Sequence, residues 1–188
     1  MTIDKNRITN NIRQGIVTDW CVVTGAPCSG KTAVILELER RGHRVVHEVA
    51  RAIIDHGLGE GKTLAQIRLD EKAFESRILT EKFRLESSLP PRERIFLDRA
   101  LPDSIAYFEL ADLDIEPVLA KCRLRRYRRV FLFERLPFEV DTVRAEDEAE
   151  AERIESGIRK GYRRLGYAPV AVPMMPVAER CDFVLRRA

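Results

Sequence analysis

The chain has 188 residues, enough for one domain with a sizeable core. Apolar residues make up 45% and charged ones 34%, a balance that excludes a disordered or fibrous chain. A net charge of +3 is too small to argue for nucleic acid or membrane, no apolar stretch approaches a membrane span, and the polar N-terminus has no signal-peptide core, so a cytoplasmic protein is expected.

In chain order, residues 1–19 read as a flexible lead-in and residues 20–188 as a single domain. Trp20 to Thr24 is a short apolar strand. It runs into Gly25-Ala26-Pro27-Cys28-Ser29-Gly30-Lys31-Thr32, which fits the phosphate-binding pattern G-x-x-x-x-G-K-[ST] at every fixed position. The glycines let the chain turn sharply and let backbone N–H groups close on phosphate oxygens. Lys31 is expected to reach the β- and γ-phosphates, and the Thr32 hydroxyl to take a Mg²⁺ position. Val34, Ile35 and Leu38 at helical spacing predict a helix from Thr32 to Arg41, stopped by Gly42. The anion would then lie at a helix N-terminus, where free N–H groups and the dipole favour it.

Beyond the loop, apolar strand-like runs alternate with helical ones. Arg44 to Glu48 is a second strand, and a long helix is predicted over Leu64–Leu89, with Ile67, Phe74, Ile78 and Leu85 inward and Pro90-Pro91 as its stop. Arg94–Asp98 is a third strand, followed by short helices over Ser104–Leu110 and Glu116–Leu124. Arg129–Phe133 is a fourth strand, Val143–Leu165 a helix, Ala168–Val172 a fifth strand, and Phe183–Leu185 a last one after a short turn-helix over Val177–Arg180. The alternation predicts an α/β fold of the P-loop NTPase type: a five-stranded or slightly larger, mostly parallel sheet flanked by helices, with a helical lid. In such sheets ligands bind beyond the C-terminal strand ends.

That rule nominates residues. Asp98, closing an apolar strand, has the Walker B pattern and would hold Mg²⁺ through water or take a substrate proton; Arg99 adds a cation beside it. Glu48 and Arg51 would share a face if the chain turns helical there, a carboxylate and a guanidinium suited to an acceptor hydroxyl. Leu136 to Arg144, which includes Asp141, reads as a lid over the phosphates, with Arg144 stabilising charge on the transferred group. Asp141 is grouped with Glu48 and Arg51 as a candidate substrate-binding residue. Lys121 to Arg129 is the single basic cluster, and with Tyr127 it offers an RNA or anionic-lipid surface as the lesser alternative to a solvated helix end. Cys21, Cys122, Cys181 and the loop's Cys28 have no metal-ligand spacing; Cys28, inside the anion loop, is a candidate reactive thiol.

Taken together, these stretches resemble a P-loop kinase-like AAA-domain family that includes ribosylnicotinamide kinase domains and TRPL-translocation-defect-type GTP-binding proteins. The resemblance runs from about Trp20 to Leu185. It rests on GAPCSGKT, on HEVAR at His47–Arg51, on FLDRALPDSIAY at Phe96–Tyr107 and on LPFEVDTVRAED at Leu136–Asp147. YRRLGY at Tyr162–Tyr167 and VPMMPVAERCDFVL at Val172–Leu185 complete it. It implies a nucleoside- and nucleotide-kinase-like core, with Lys31 and Thr32 on phosphate and Mg²⁺. It also implies Asp98-Arg99 as the "DR" pair, Glu48 as an acceptor-side carboxylate and Arg144 as a lid arginine, with Pro173–Val177 near the base. Arg99 occupies the position where motor ATPases carry a second acid to activate water, which argues for phosphoryl transfer.

The resulting expectation is an ATP- or GTP-dependent, Mg²⁺-requiring kinase of a small-molecule hydroxyl or phosphate acceptor, with Glu48 or Asp98 as the base. The alternative from another class is a nucleotide-binding switch with slow hydrolysis that acts through a protein or lipid partner. A polynucleotide kinase that uses the basic cluster is the third.

Overall fold

The computed structural model describes residues 15–135 and 145–188; of residues 145–148 only the helical backbone is described. Five parallel strands form the main sheet: β2 (Cys21–Thr24), β3 (Arg44–Val46), β4 (Ile95–Asp98), β6 (Arg129–Phe133) and β7 (Val170–Val172). Their spatial order is β3-β4-β2-β6-β7. Val22 on the central strand stands opposite Leu97 on one side and Val130 on the other. β2 and β4 are buried along their whole length, as strands covered on both faces must be. The small outlying pair is β1 (Ile16–Val17) with β5 (Arg125–Arg126), also parallel. The end of the expected lead-in is therefore tied to the domain, and Thr18 is buried.

Helices cover both faces. α1 (Lys31–Arg40) and α8 (Val177–Leu185) pack on one, with Val34, Ile35 and Leu38 meeting Cys181 and Val184. On the other, α5 (Asp103–Leu110) packs against α7 (Ala145–Arg164). There Ile154, Ile158 and Tyr162 join Trp20, Leu97 and Val130 in the core. α6 (Glu116–Cys122) contributes Val118 and Leu119 to a neighbouring cluster with Leu101 and Ile105.

Three expectations are corrected. Phe183–Leu185 is no strand but the end of α8. The buried residues Arg180, Cys181 and Val184 recur at helical spacing after Pro176, and that stripe packs on α1. The predicted Leu64–Leu89 helix is two: α3 (Leu64–Ile67) and α4 (Glu71–Ser88). Thr63 and Gln66 form a reciprocal capping box for the first, and the Asp70 carboxylate accepts from Ala73 N (2.9 Å) to start the second. Third, a helix the sequence reading passed over, α2 (Val49–Gly59), follows β3. The buried stripe of α4 also differs. It comprises Phe74, Ile78, Lys82 and Glu86, four apart, with Glu75 and Leu79 beside them, while Ile67 and Leu85 are only partly buried. Three charged residues therefore sit where an amphipathic helix would place apolar ones.

Candidate nucleotide and acceptor site

The loop between β2 and α1 needs two unusual backbone conformations. Gly25 has φ 144°, and a Cβ there would come within 2.7 Å of Phe133 O, so no other residue fits. Gly30 is left-handed at φ 78° and caps α1. Cys28 accepts a left-handed φ of 59° without being glycine, and its side chain is exposed. Ser29 Oγ donates to Ala26 O (2.9 Å). Lys31 Nζ lies folded over the loop, donating to Ala26 O (2.6 Å) and Ser29 Oγ (3.0 Å). Burial, followed by the charge of Arg99, lowers the Lys31 pKa to about 8. Thr32, the next residue, is exposed.

An arginine from the far end of the chain braces this loop. Arg180, 2% exposed, sends Nη1 to Ser29 O (2.6 Å), Nε to Pro173 O (3.0 Å) and Nη2 to Glu134 O (3.5 Å), with its guanidinium 5.4 Å from the Phe133 ring centroid. All three hydrogen bonds are to backbone carbonyls, which fixes the loop against β6 and the start of α8. It also ties Pro173, the first residue of the stretch expected near the base, to the phosphate loop.

Beside the loop, β4 ends in Asp98 and Arg99. Asp98 is buried, and its Oδ1 has no hydrogen-bond partner among the described residues. Burial, reinforced by the charge of Glu48, raises its carboxyl to about 6. Arg99 takes a left-handed φ of 64° while its N–H bonds Val23 O (3.0 Å). A non-glycine residue there costs of the order of 1–2 kcal/mol. The strained turn directs the guanidinium into a buried cage. Nε is 2.8 Å from Glu48 Oε1, close but not aligned as a hydrogen bond. Nη1 donates to Asp103 Oδ1 (3.2 Å), and the guanidinium lies 5.6 Å from the Tyr107 ring centroid.

Asp103 is the hub that the sequence reading missed. Fully buried, it accepts from the Thr24 hydroxyl at the end of β2, from Ala100 N (3.0 Å), from Tyr162 OH (2.6 Å) and from Arg99. Despite burial, Arg99, Lys82 and these hydrogen bonds hold its carboxyl below the usual range. The charged stripe of α4 supports the same turn from behind. Glu86 accepts from Leu101 N (2.9 Å) and from Tyr127 OH (2.7 Å), and Lys82 Nζ donates to Ala100 O and Ser104 Oγ (3.3 Å each). The clues to Asp103 were Tyr162 and Thr24, 59 and 79 residues away, a separation no local pattern conveys.

The structure thus brings Lys31, Glu48, Asp98 and Arg99 to one end of the sheet. It does not bring Arg51 with them: that side chain points to solvent and pairs with Asp55 (2.9 Å), while Glu48 turns to Arg99. Asp141 and Arg144 lie outside the described residues. A cleft of about 690 Å³ opens beside the phosphate loop, lined by Pro27, Cys28, Glu48, Phe74, Ile78, Arg99 and Ile154 among others. The unpartnered Asp98 oxygen and the exposed Thr32 fit a divalent cation. Among the described residues no cluster of three His, Cys, Asp or Glu could hold a metal, so phosphate oxygens or water would have to complete its shell.

The basic cluster is largely engaged within the molecule. Arg126 lies 4.1 Å from the Tyr167 ring centroid and donates to Leu165 O and Gly166 O, and Arg125 donates to Ser87 Oγ (2.8 Å). Lys121 lies over Phe83, and Tyr127 is buried. Among the described residues no helix is long and apolar enough to cross a membrane.

The profile of the family described as "AAA domain" matches residues 20–180. No curated protein matches the chain by sequence. Among solved structures, the NadR protein in complex with NR is similar at TM-score 0.64 and 16% identity, over 97% of this chain and 54% of that one. The chain therefore spans about half of that protein. Thymidylate kinase from Ehrlichia chaffeensis is similar at TM-score 0.61 and 13% identity, over 92% and 97%. Deoxyadenosine kinase from M. mycoides with products dCMP and dCDP follows at 0.55 and 14%, over 89% and 96%. These likenesses establish the nucleotide-kinase type of fold expected from the sequence.

Proposed function

We propose that this chain, which belongs to the AAA domain family, transfers the γ-phosphoryl group of ATP or GTP to a small-molecule acceptor. The observation that carries the reading is the cleft itself, which joins the phosphate loop at Pro27 and Cys28 to a carboxylate and a buried arginine at Glu48 and Arg99. A switch that only binds and hydrolyses nucleotide needs no such second compartment, whereas a kinase does.

Gly25 to Thr32 would cradle the donor phosphates with backbone N–H groups, and Lys31 would swing from Ala26 O to the β/γ-oxygens. Mg²⁺, held by Thr32 and Asp98 with the nucleotide, would supply charge neutralisation on the phosphates. Glu48 stands at the cleft wall, where it suits taking the acceptor's proton, and Asp98 is the other candidate for that role. The acceptor oxygen then forms the new P–O bond as the bond to the β-phosphate oxygen breaks. Lys31 and Arg99, with Arg144 from the lid, would stabilise charge on the transferring group. The bond to Asp103 and the strained turn fix the Arg99 guanidinium, which supports this role because little reorganisation would be needed at the moment of reaction.

The test is nucleoside-diphosphate release with Mg²⁺ and ATP or GTP, in the presence of nucleosides, sugars, amino alcohols and their phosphate esters. Stimulation by at least one acceptor, absent in Lys31→Ala, is the expected result. Slow hydrolysis indifferent to every acceptor would return the chain to the switch reading.

A further inference from the structure

One side chain in the cleft that the reaction leaves unused is Glu75. It sits on α4 between Phe74 and Ser76, is 3% exposed and lines the cavity. Among the described residues it has neither a hydrogen-bond nor an ion-pair partner, and its side chain forms part of the cavity wall. Among the described residues, the cations that line the same cavity each have a partner within the protein. Arg68 pairs with Glu71 (2.6 Å), Arg99 with Glu48 and Asp103, and Lys82 donates to Ala100 O and Ser104 Oγ. Glu71, Glu75 and Glu150 line the same cavity, so it offers a ligand negative charge as well. Around it, Phe74, Ile78, Ile54 and Ile154 provide an apolar wall with Tyr107 as a second aromatic face.

Burial holds the Glu75 carboxyl above its ordinary range, opposed first by the charge of Lys82, so a ligand that donates to it from the cavity would stabilise its charged form. A phosphate ester placed against Glu75 itself would set negative charge beside a carboxylate, an unfavourable contact. Resting on the kinase reading above, we propose that Glu75 selects the acceptor. The acceptor is an unphosphorylated, hydroxyl-bearing molecule whose body lies on the apolar wall and whose cationic or hydrogen-bond-donating group binds the Glu75 carboxylate. The hydroxyl that receives the phosphoryl group reaches Glu48, which lines the same cavity. Glu75 is a specificity residue in this scheme and takes no part in the transfer.

The acceptor panel tests this with Glu75→Gln alongside the parent. Unphosphorylated acceptors are expected to stimulate nucleoside-diphosphate release, and their phosphate esters are not. In Glu75→Gln the acceptor KM should rise about tenfold or more, as expected when a hydrogen bond to a charged group is lost, with kcat and the nucleotide KM nearly unchanged. The thermal midpoint of the variant should equal or exceed the parent's, since a neutral isostere removes a buried unpaired charge; a merely structural glutamate would show a lower midpoint. Stimulation by phosphate esters alone, or an acceptor KM unmoved in Glu75→Gln, overturns the assignment while leaving the kinase reading intact. A lowered thermal midpoint in Glu75→Gln overturns it as well. Failure of every acceptor to stimulate overturns the kinase reading and this inference with it.

Discussion

The two ends of the cleft are built on different plans. The phosphate end is local: eight consecutive residues, two of them glycines with positive φ, form the loop, and Arg180, remote in sequence, braces it. The end proposed for the acceptor is assembled from afar. Glu48 follows β3, Arg99 follows β4, Glu75 and Lys82 come from α4, and Asp103 is held by Thr24 and Tyr162 from opposite ends of the domain. A phosphate is the same ligand in every P-loop protein, so a contiguous backbone cradle suffices. An acceptor differs from protein to protein, and side chains on separate elements let it vary without disturbing the cradle.

The contrast yields predictions of decreasing size. Lys31→Ala should cut turnover by about a hundredfold or more, since a clamping charge supplies several kcal/mol in the transition state. Stopped-assay rates on purified variant check this, and near-parental activity would remove the phosphate end from the account. Asp98→Asn should cost a comparable factor in activity but raise the thermal midpoint of the nucleotide-free protein. The sign follows from burial. Asp98 has its carboxyl raised, so the folded state loses stability as pH climbs from the ordinary carboxylate range through about 6, and an uncharged side chain escapes that loss.

At the acceptor end, Tyr162→Phe removes one donor from Asp103. It should cost roughly 1–3 kcal/mol of stability by leaving a buried carboxylate oxygen under-satisfied, and lower kcat/KM by loosening Arg99. Denaturant titration beside kinetics would show both losses together; kinetics unchanged at full destabilisation would make Asp103 purely structural. The kcat/KM profile should be bell-shaped, with an acid limb near the Asp98 value and a base limb near the lowered Lys31 value of about 8. A profile flat from pH 5 to pH 9 would show that these groups do not govern the reaction. The smallest effect concerns Cys28, exposed on the loop: saturating nucleotide should slow its alkylation by iodoacetamide, measured by mass spectrometry of the labelled peptide.

The same contrast explains what the sequence made legible. The loop, the strand ends and the parallel sheet were readable, because glycine spacing and apolar runs are local signals. Glu48, Asp98 and Arg99 were reachable through one rule, that ligands gather at C-terminal strand ends. Asp103, Arg180 and the charged stripe of α4 were not. Glu75, Lys82 and Glu86 carry no local signal that separates them from charges on a solvated helix face, and only the fold shows them turned inward toward Leu101, Ser104 and the cleft. Arg51 was misplaced for a related reason. Three-residue spacing put it on the face of Glu48, but Glu48 is the cap before α2 and turns to Arg99, while Arg51 lies in the first turn and finds Asp55 one turn on. The Phe183–Leu185 run was too short to tell a strand from a helix end by periodicity.

The most direct measurement follows the phosphoryl group itself. ATP or GTP labelled at the γ-phosphate, incubated with the protein, Mg²⁺ and the acceptor panel, should deliver label to an acceptor ester in amounts equal to the nucleoside diphosphate formed, and Lys31→Ala should deliver none. Label found solely in inorganic phosphate, at a rate no acceptor changes, would contradict the account.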